Sequence, residues 1–324
     1  DLVAYAAAGI GSDHEATTVA EMQERLRLGM YVFIREASNA RNLAALIAGL
    51  TESNSRRICF CTDDRQPADL LSEGHIDFLI RKAVAGGVDP ITAIRIATLN
   101  PAEYFHLGDR GGIAPGKRAD LVVLKDLKSF HAEMVFRGGQ LAARDGIPIP
   151  WERPYKPIFL RSSMNLRSDT FNPRIPARGR KGRIIGVVPN QLITEHLLEE
   201  LPLRDGEVVA DAGRNIAKIA VNERHLATGN TGLGLVKGLG LQRGALASTV
   251  AHDSHNLLVV GMDDASMATA LHAVVEMRGG MAAAENEQVL ARLPLPTAGL
   301  MSDQPIETVR DQMEELLRAS RILR

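Results

Sequence analysis

Three short stretches carry the side chains best suited to chemistry: Asp13-His14-Glu15, Arg35-Glu36 and Asp63-Asp64-Arg65. Each follows an apolar run, so the polar groups arrive where a buried segment ends. An imidazole among carboxylates has two readings, an ordinary polar surface or satisfied core histidine, or a ligand for a divalent metal. Imidazole suits Zn, Fe, Ni and Cu, and carboxylates suit Mn. A carboxylate can also take and return a proton. Asp63 has a second reading, as a helix N-cap, because Asp after a strand often accepts the first free N–H groups of a helix. Asp64 reads as a cap or a supporting group, and Arg65 as an ion-pair partner. A fourth stretch, His252-Asp253-Ser254-His255, sets two imidazoles around a carboxylate. His-x-x-His is a weak signal on its own, open to metal binding, to closure over a substrate, or to local turn chemistry. His75 reads as structural.

These groups need elements to hold them. The first hundred or so residues alternate amphipathic helix patterns with short runs that are apolar on both faces. Thr18 and Glu21 have the spacing of a capping box, and Asp89-Pro90 opens another helix. "MYVFIRE" and "RRICFCTDD" read as buried strands, and "DLLSEGHIDFLIRKAVAGG" reads mostly as helix. Strands without alternation, separated by helices, predict βα units and a parallel sheet. In such sheets the carboxyl ends of the strands form the active face. Residues 111–145 change to short strands with turn signals, and residues 148–181 are rich in Pro and Arg. Beyond them an α+β pattern begins. Strands are predicted near 183–188, 207–221, 245–251 and 256–261, and helices near 264–278 and 305–320. A hairpin is predicted with Glu285-Asn286 at its turn. "GNTGLGLVKG" lacks the GK[ST] ending of a phosphate loop and reads as a turn and strand.

The bulk numbers narrow the class. A chain of 324 residues suggests two domains, at roughly 100–200 residues each. Hydrophobic residues make up 45% and aromatics only 4%, which predicts an aliphatic core. A formal net charge of −1 gives no electrostatic ground for binding nucleic acid or an acidic membrane surface. No apolar run reaches the ~18 residues of a membrane span. Cys59 and Cys61 lie two apart in one strand, where a disulfide between them is not expected, and a reducing, cytoplasmic setting fits. The chain opens without Met and reads as sequence from within a domain.

With these residues in view, "GGVDPITAIRIATLNPAEYFHLGDRGGIAPGKRADLVVL" resembles the closing segment of the amidohydrolase superfamily. More narrowly, "DLVAYAAAGIGSDHEATT", "TDDR", "EGHID" and residues 229–301 resemble the bacterial adenine deaminases. The resemblance implies an α/β fold: the C-terminal part of a metal-dependent (β/α)8 barrel over 1–108, a small β segment over 109–147, a linker over 148–181 and an α+β domain over 182–324. It implies hydrolysis of adenine to hypoxanthine and ammonia by metal-activated water, a step of purine salvage. It implies a divalent metal pair, manganese or iron, with His14 and Asp63 as ligands and Asp63 also as general base. Asp13, Glu15, Arg35, Glu36, Asp64, His252, Asp253 and His255 are then candidates to touch substrate or to orient ligands. A homo-oligomer is expected, with adenine as the small-molecule partner.

The family's H-x-H ligand pair is absent from this chain, and only three barrel strands are legible, so the missing barrel half is expected upstream. Two other readings stand beside this one. One is a different metal-dependent amidohydrolase acting on a cyclic amide, and the other is a non-catalytic fragment with a role in assembly. The zinc nucleobase deaminases that use a P-C-x-x-C motif are excluded, because that motif does not occur.

Overall fold

The computed structural model describes residues 1–150, 162–166, 171–189 and 193–324. Of the expected 148–181 linker, residues 151–161 and 167–170 lie outside the described residues. The chain divides into two compact units, 1–156 and 157–324.

The first unit begins with α1 (Leu2–Ala7), β1 (Ser12–Asp13), α2 (Val19–Arg27), β2 (Tyr31–Arg35), α3 (Leu43–Leu46) and β3 (Ile58–Cys61). It continues with α4 (Pro67–Ser72), α5 (Ile76–Ala85), α6 (Pro90–Ala97) and α7 (Leu99–Tyr104). The capping box at Thr18 and Glu21 forms, with both reciprocal bonds present. Asp89 caps α6 by accepting from Thr92 N–H at 2.8 Å. The three strands form a parallel sheet in the order β1-β2-β3, with Ser12 opposite Tyr31 and Arg35 opposite Cys61.

Alternation along β2 decides what each residue does. Val32 and Ile34 point into a core with Ile58, Leu43, Leu46, Leu79 and Ile96, all buried. Tyr31 and Phe33 point to the opposite face, where Phe33 meets the Tyr104 ring edge-on at 5.1 Å. The outer edges of β1 and β3 have no ladder partner among the described residues. An antiparallel meander follows: β4 (Leu121–Leu124), β5 (Ala132–Arg137), β6 (Gln140–Arg144) and β7 (Ile147–Pro148).

The second unit contains β8 (Ile175–Pro176), β9 (Lys181–Val187), β10 (Thr194–Glu200), β11 (Leu203–Arg204), β12 (Glu207–Val208) and β13 (Ile216–Asn222). Then come β14 (Thr231–Lys237), β15 (Ala245–Ser248), β16 (Leu257–Gly261), α8 (Asp264–Glu276), β17 (Gly280–Glu285), β18 (Gln288–Pro294) and α9 (Ile306–Ile322). Eight of these strands make one sheet, β10-β9-β14-β13-β16-β15-β17-β18, while β11, β12 and β8 make a small one. Side chains of β17 alternate between two cores. Ala282 and Ala284 pack with Met267, Leu271 and Val274 of α8, and Ala283 packs with Leu316 and Ala319 of α9. The two helices therefore cover opposite faces of the large sheet.

Three local expectations change. The single strand predicted over 207–221 is broken, because Asp211 caps a 3-10 turn at Ala212–Arg214 and Asn215 takes a left-handed conformation (φ 56°) before β13. The long helix predicted after β3 is split at Gly74 (φ +111°) into α4 and α5. The hairpin turn falls on Asn286-Glu287, one residue later than expected, with Asn286 at φ 55°. The outer strand β10 carries no apolar alternation and was not legible. Among the described residues no helix is long and apolar enough to cross a membrane.

Candidate active site

The carboxyl ends of β1, β2 and β3 bring His14, Glu15, Arg35 and Asp63 together. Arg35 is the last residue of β2, on the face of Tyr31 and Phe33, and is almost wholly buried. Its guanidinium donates from Nη1 and Nη2 to the two oxygens of Glu15, both at 2.9 Å, a bidentate pair. Nη1 also reaches Asp63 Oδ2 at 3.3 Å. His14 Nε2 lies 3.3 Å from Glu15 Oε1 and 4.0 Å from Asp63 Oδ1. One cation thus holds two acids from different loops beside one imidazole. The acids stay wet: Glu15 is 47% exposed and Asp63 36%.

Asp63 sits just beyond β3 in the left-handed region, at φ 51°. Asp tolerates that region where most side chains do not. It caps no helix, since α4 opens at Pro67 with Gln66 in the cap position. The turn around it is pinned from both sides. Thr62 Oγ1 and His75 Nε2 are 3.1 Å apart. Arg65, with its guanidinium over the Phe78 ring at 4.6 Å, donates to Gly74 O at 2.8 Å and Glu36 O at 3.2 Å and pairs with Glu73. Cys61 closes the base of the cluster. Burial, with the nearby Asp63 carboxylate adding, pushes its thiol up to about 12. The thiol is therefore a neutral neighbour and not a nucleophile.

The other named residues have partners of their own. Asp13 faces Arg25 and accepts the Glu15 N–H at 2.8 Å, so it shapes the loop. Glu36 is fully buried on the opposite face of β2 from Arg35. Its carboxylate accepts from Leu43 N–H at 3.1 Å and pairs with Lys82. It cannot join the cluster around Arg35, because neighbours on a strand point to opposite sides. Asp64 is exposed, and its carbonyl accepts from Ser38 N–H at 3.1 Å. His252, Asp253 and His255 lie in the second unit, in the loop between β15 and β16. There the two imidazoles meet edge to face at 4.9 Å, and His255 O accepts from buried Arg224 at 2.6 Å. Sequence reasoning missed Arg25 and Lys82, whose spacing from Asp13 and Glu36 carries no local signal.

The donor set fits part of a metal centre. His14 Nε2 and Asp63 Oδ1, 4.0 Å apart, are close enough for one ion at bond lengths of ~2.0–2.2 Å. Among the described residues, no group of three or more His, Cys, Asp or Glu side chains is arranged to hold a metal. The cluster offers two positions of a centre and does not complete one.

Comparison with known proteins shows what the chain is similar to. Residues 3–142 match the Amidohydrolase family, and residues 191–323 match the Adenine deaminase C-terminal domain. An adenine deaminase of Desulfatibacillum aliphaticivorans is 52% identical, covering 100% of this chain and 57% of its own length. One of Nitratidesulfovibrio vulgaris (strain DP4) is 48% identical, covering 98% and 55%. Adenine deaminase 2 of Carboxydothermus hydrogenoformans is 44% identical, covering 100% and 57%. Among solved structures, a beta-aspartyl dipeptidase from Fervidobacterium islandicum AW-1 is similar over 44% of this chain and 41% of its own, with a TM-score of 0.36 and 19% identity. The chain spans about half the length of the curated relatives it matches. It joins an amidohydrolase-family segment to an adenine deaminase C-terminal domain, and along its whole length it is a homologue of the adenine deaminases.

Proposed function

We propose that this chain is the part of an adenine deaminase that carries the last strands of a (β/α)8 barrel and the domain that follows them. The reaction is adenine plus water to hypoxanthine plus ammonia. The observation that carries the reading is the meeting of His14 and Asp63 at the ends of parallel strands, in a chain homologous to adenine deaminases. His14 and Asp63 would hold a divalent metal, manganese or iron, with further ligands from residues outside this chain. That metal, when bound, supplies Lewis-acid activation of the attacking water.

The chain's own residues do the rest. Arg35 engages Asp63 Oδ2 and leaves Oδ1 on the His14 side. Asp63 takes a proton from the water that attacks C6 of adenine and returns it to the departing amine. Glu15, held in two places by Arg35, keeps a second carboxylate 3.3 Å from His14 Nε2. The free thiols of Cys59 and Cys61 suit a reducing cytoplasm.

Asp63→Asn in the full-length protein tests the reading. Asn keeps the left-handed backbone and the hydrogen bond from Arg35 but cannot accept the proton. Turnover of adenine should fall by ~10²–10⁴-fold with little change in melting temperature. Near-normal turnover at matched metal content would remove Asp63 from the chemistry.

A further inference from the structure

In the large sheet of the second unit, β9 and β14 run parallel but pair at only two positions, Val236 with Ile185 and Lys237 with Gly186. By contrast β9 pairs with β10 over seven residues and β13 with β14 over seven. Toward Lys181 and Leu233 the two strands are no longer paired. A cavity of about 360 Å³ opens there, bounded on its other sides by the β8 segment and the end of β10. Its apolar wall is Ile175, Leu201, Val208 and Leu233. Ile175, Leu201 and Val208 belong to the cluster around Ile184 and Ile216, so the wall is continuous with a packed core.

The rim has one sign of charge. Among the described residues, Arg174, Arg178 and Lys181 line the cavity and no acidic side chain does. Arg174 has Glu207 at 3.7 Å. Arg178 and Lys181 have no ion-pair partner among the described residues. Arg178 and Lys181, two cations beside an apolar wall with no carboxylate partner among the described residues, favour a ligand that brings its own negative charge and an apolar body. The planar fork of arginine matches phosphate, and its flat face receives a planar ring. A volume of ~300–1,000 Å³ is the range of small-molecule sites.

We propose that the gap between β9 and β14 binds a nucleoside monophosphate, with the phosphate on Arg178 and Lys181 and the base against Leu233 and Ile175. The site is independent of the cluster at His14 and Asp63 and uses none of its residues. The probe is adenosine 5′-monophosphate, titrated calorimetrically into the full chain at low salt, beside adenosine and inorganic phosphate. The monophosphate binds saturably and more tightly than either half. Hydrogen exchange slows on binding at residues 175–184 and 231–235. Arg178→Glu with Lys181→Glu, both exposed side chains, weakens binding at least ~tenfold, as expected on losing charge-assisted contacts. Leu233→Asp weakens it without touching the cations. Binding that survives the double charge reversal overturns the proposal. So does adenosine binding as tightly as the monophosphate, phosphate binding as tightly as the monophosphate, or no binding of the monophosphate at all.

Discussion

Removing the Arg35 guanidinium tests how the site holds its acids. Arg35→Met keeps a stem of similar length and deletes the fork. The Arg35 side chain is 4% exposed, whereas its partners Glu15 and Asp63 are 47% and 36% exposed. A pair buried on both sides would cost ~3–5 kcal/mol to break from one side, because a charge would be stranded without water. Here the stranded carboxylates can rehydrate. A fully exposed pair would contribute only ~0.2–1 kcal/mol. Two charge-assisted bonds from a buried donor to a half-exposed acceptor lie between these, so the Arg35–Glu15 coupling should be ~1–2 kcal/mol. A double-mutant cycle of Arg35→Met and Glu15→Gln isolates that coupling. Urea titration with hydrogen exchange read at β2 and β3 confines the measurement to the first unit. Arg35→Lys should recover little, since a point charge cannot bridge both oxygens and also reach Asp63. A coupling below ~0.3 kcal/mol, as for a surface pair, would refute the argument, as would one above ~4 kcal/mol, as for a sealed one.

Other outcomes follow from groups outside that pair. Lys82→Met leaves the fully buried Glu36 carboxylate with the Leu43 N–H as its one remaining partner among the described residues, and should cost about 3 kcal/mol in urea unfolding; Glu36→Gln in the same chain should restore part of it, and a neutral single mutant would show that the Lys82 pair does not hold α5 to β2. Cys59 and Cys61, with thiols pushed up to about 12 chiefly by burial, should alkylate with iodoacetamide at pH 8 on the order of 1,000-fold more slowly than an ordinary thiol; free-cysteine rates in the native chain would contradict this. Glu223 is held down to about 2, first by the Thr228 N–H and then by Leu226 and His225, against an ordinary value of 4.5. Because its folded value is depressed, its hold on the β13–β14 turn is complete above pH 4.5 and is lost as pH falls toward about 2. Exchange at Leu226 and Thr228 should therefore accelerate over that window beyond the intrinsic rate, and Glu223→Gln should abolish the pH dependence.

What the sequence disclosed depended on whether the governing chemistry was local. The caps at Thr18 and Asp89 are written within four residues and appear where expected. The parallel strands β2 and β3 announce themselves by lacking alternation, the mark of burial on both faces. Strand β10 is hidden for the opposite reason: at the sheet edge most of its residues are exposed, and "TEHLLEE" has no face to declare. The site divides in the same way. That His14 and Asp63 stand at strand ends is legible from where the apolar runs stop. That Glu36 turns inward to Lys82 while Arg35 turns outward to Asp63 follows from strand parity, which the sequence contains once the strand is known. The partners themselves, Arg25 for Asp13 and Lys82 for Glu36, come from distant elements and need the fold.

The left-handed backbone at Asp63 narrows what mutation can do at this position. Gly and Asn fit that conformation without penalty, and both lie one base change from an Asp codon, but neither carries a charge. Glu keeps the charge, yet it is a poor occupant of that region and carries its carboxylate one methylene further out. Substitutions that the backbone accepts silence the acid, and the substitution that keeps an acid strains the turn. A well-folded descendant without a carboxylate here is therefore one step away, while an unstrained acidic replacement for this aspartate is not.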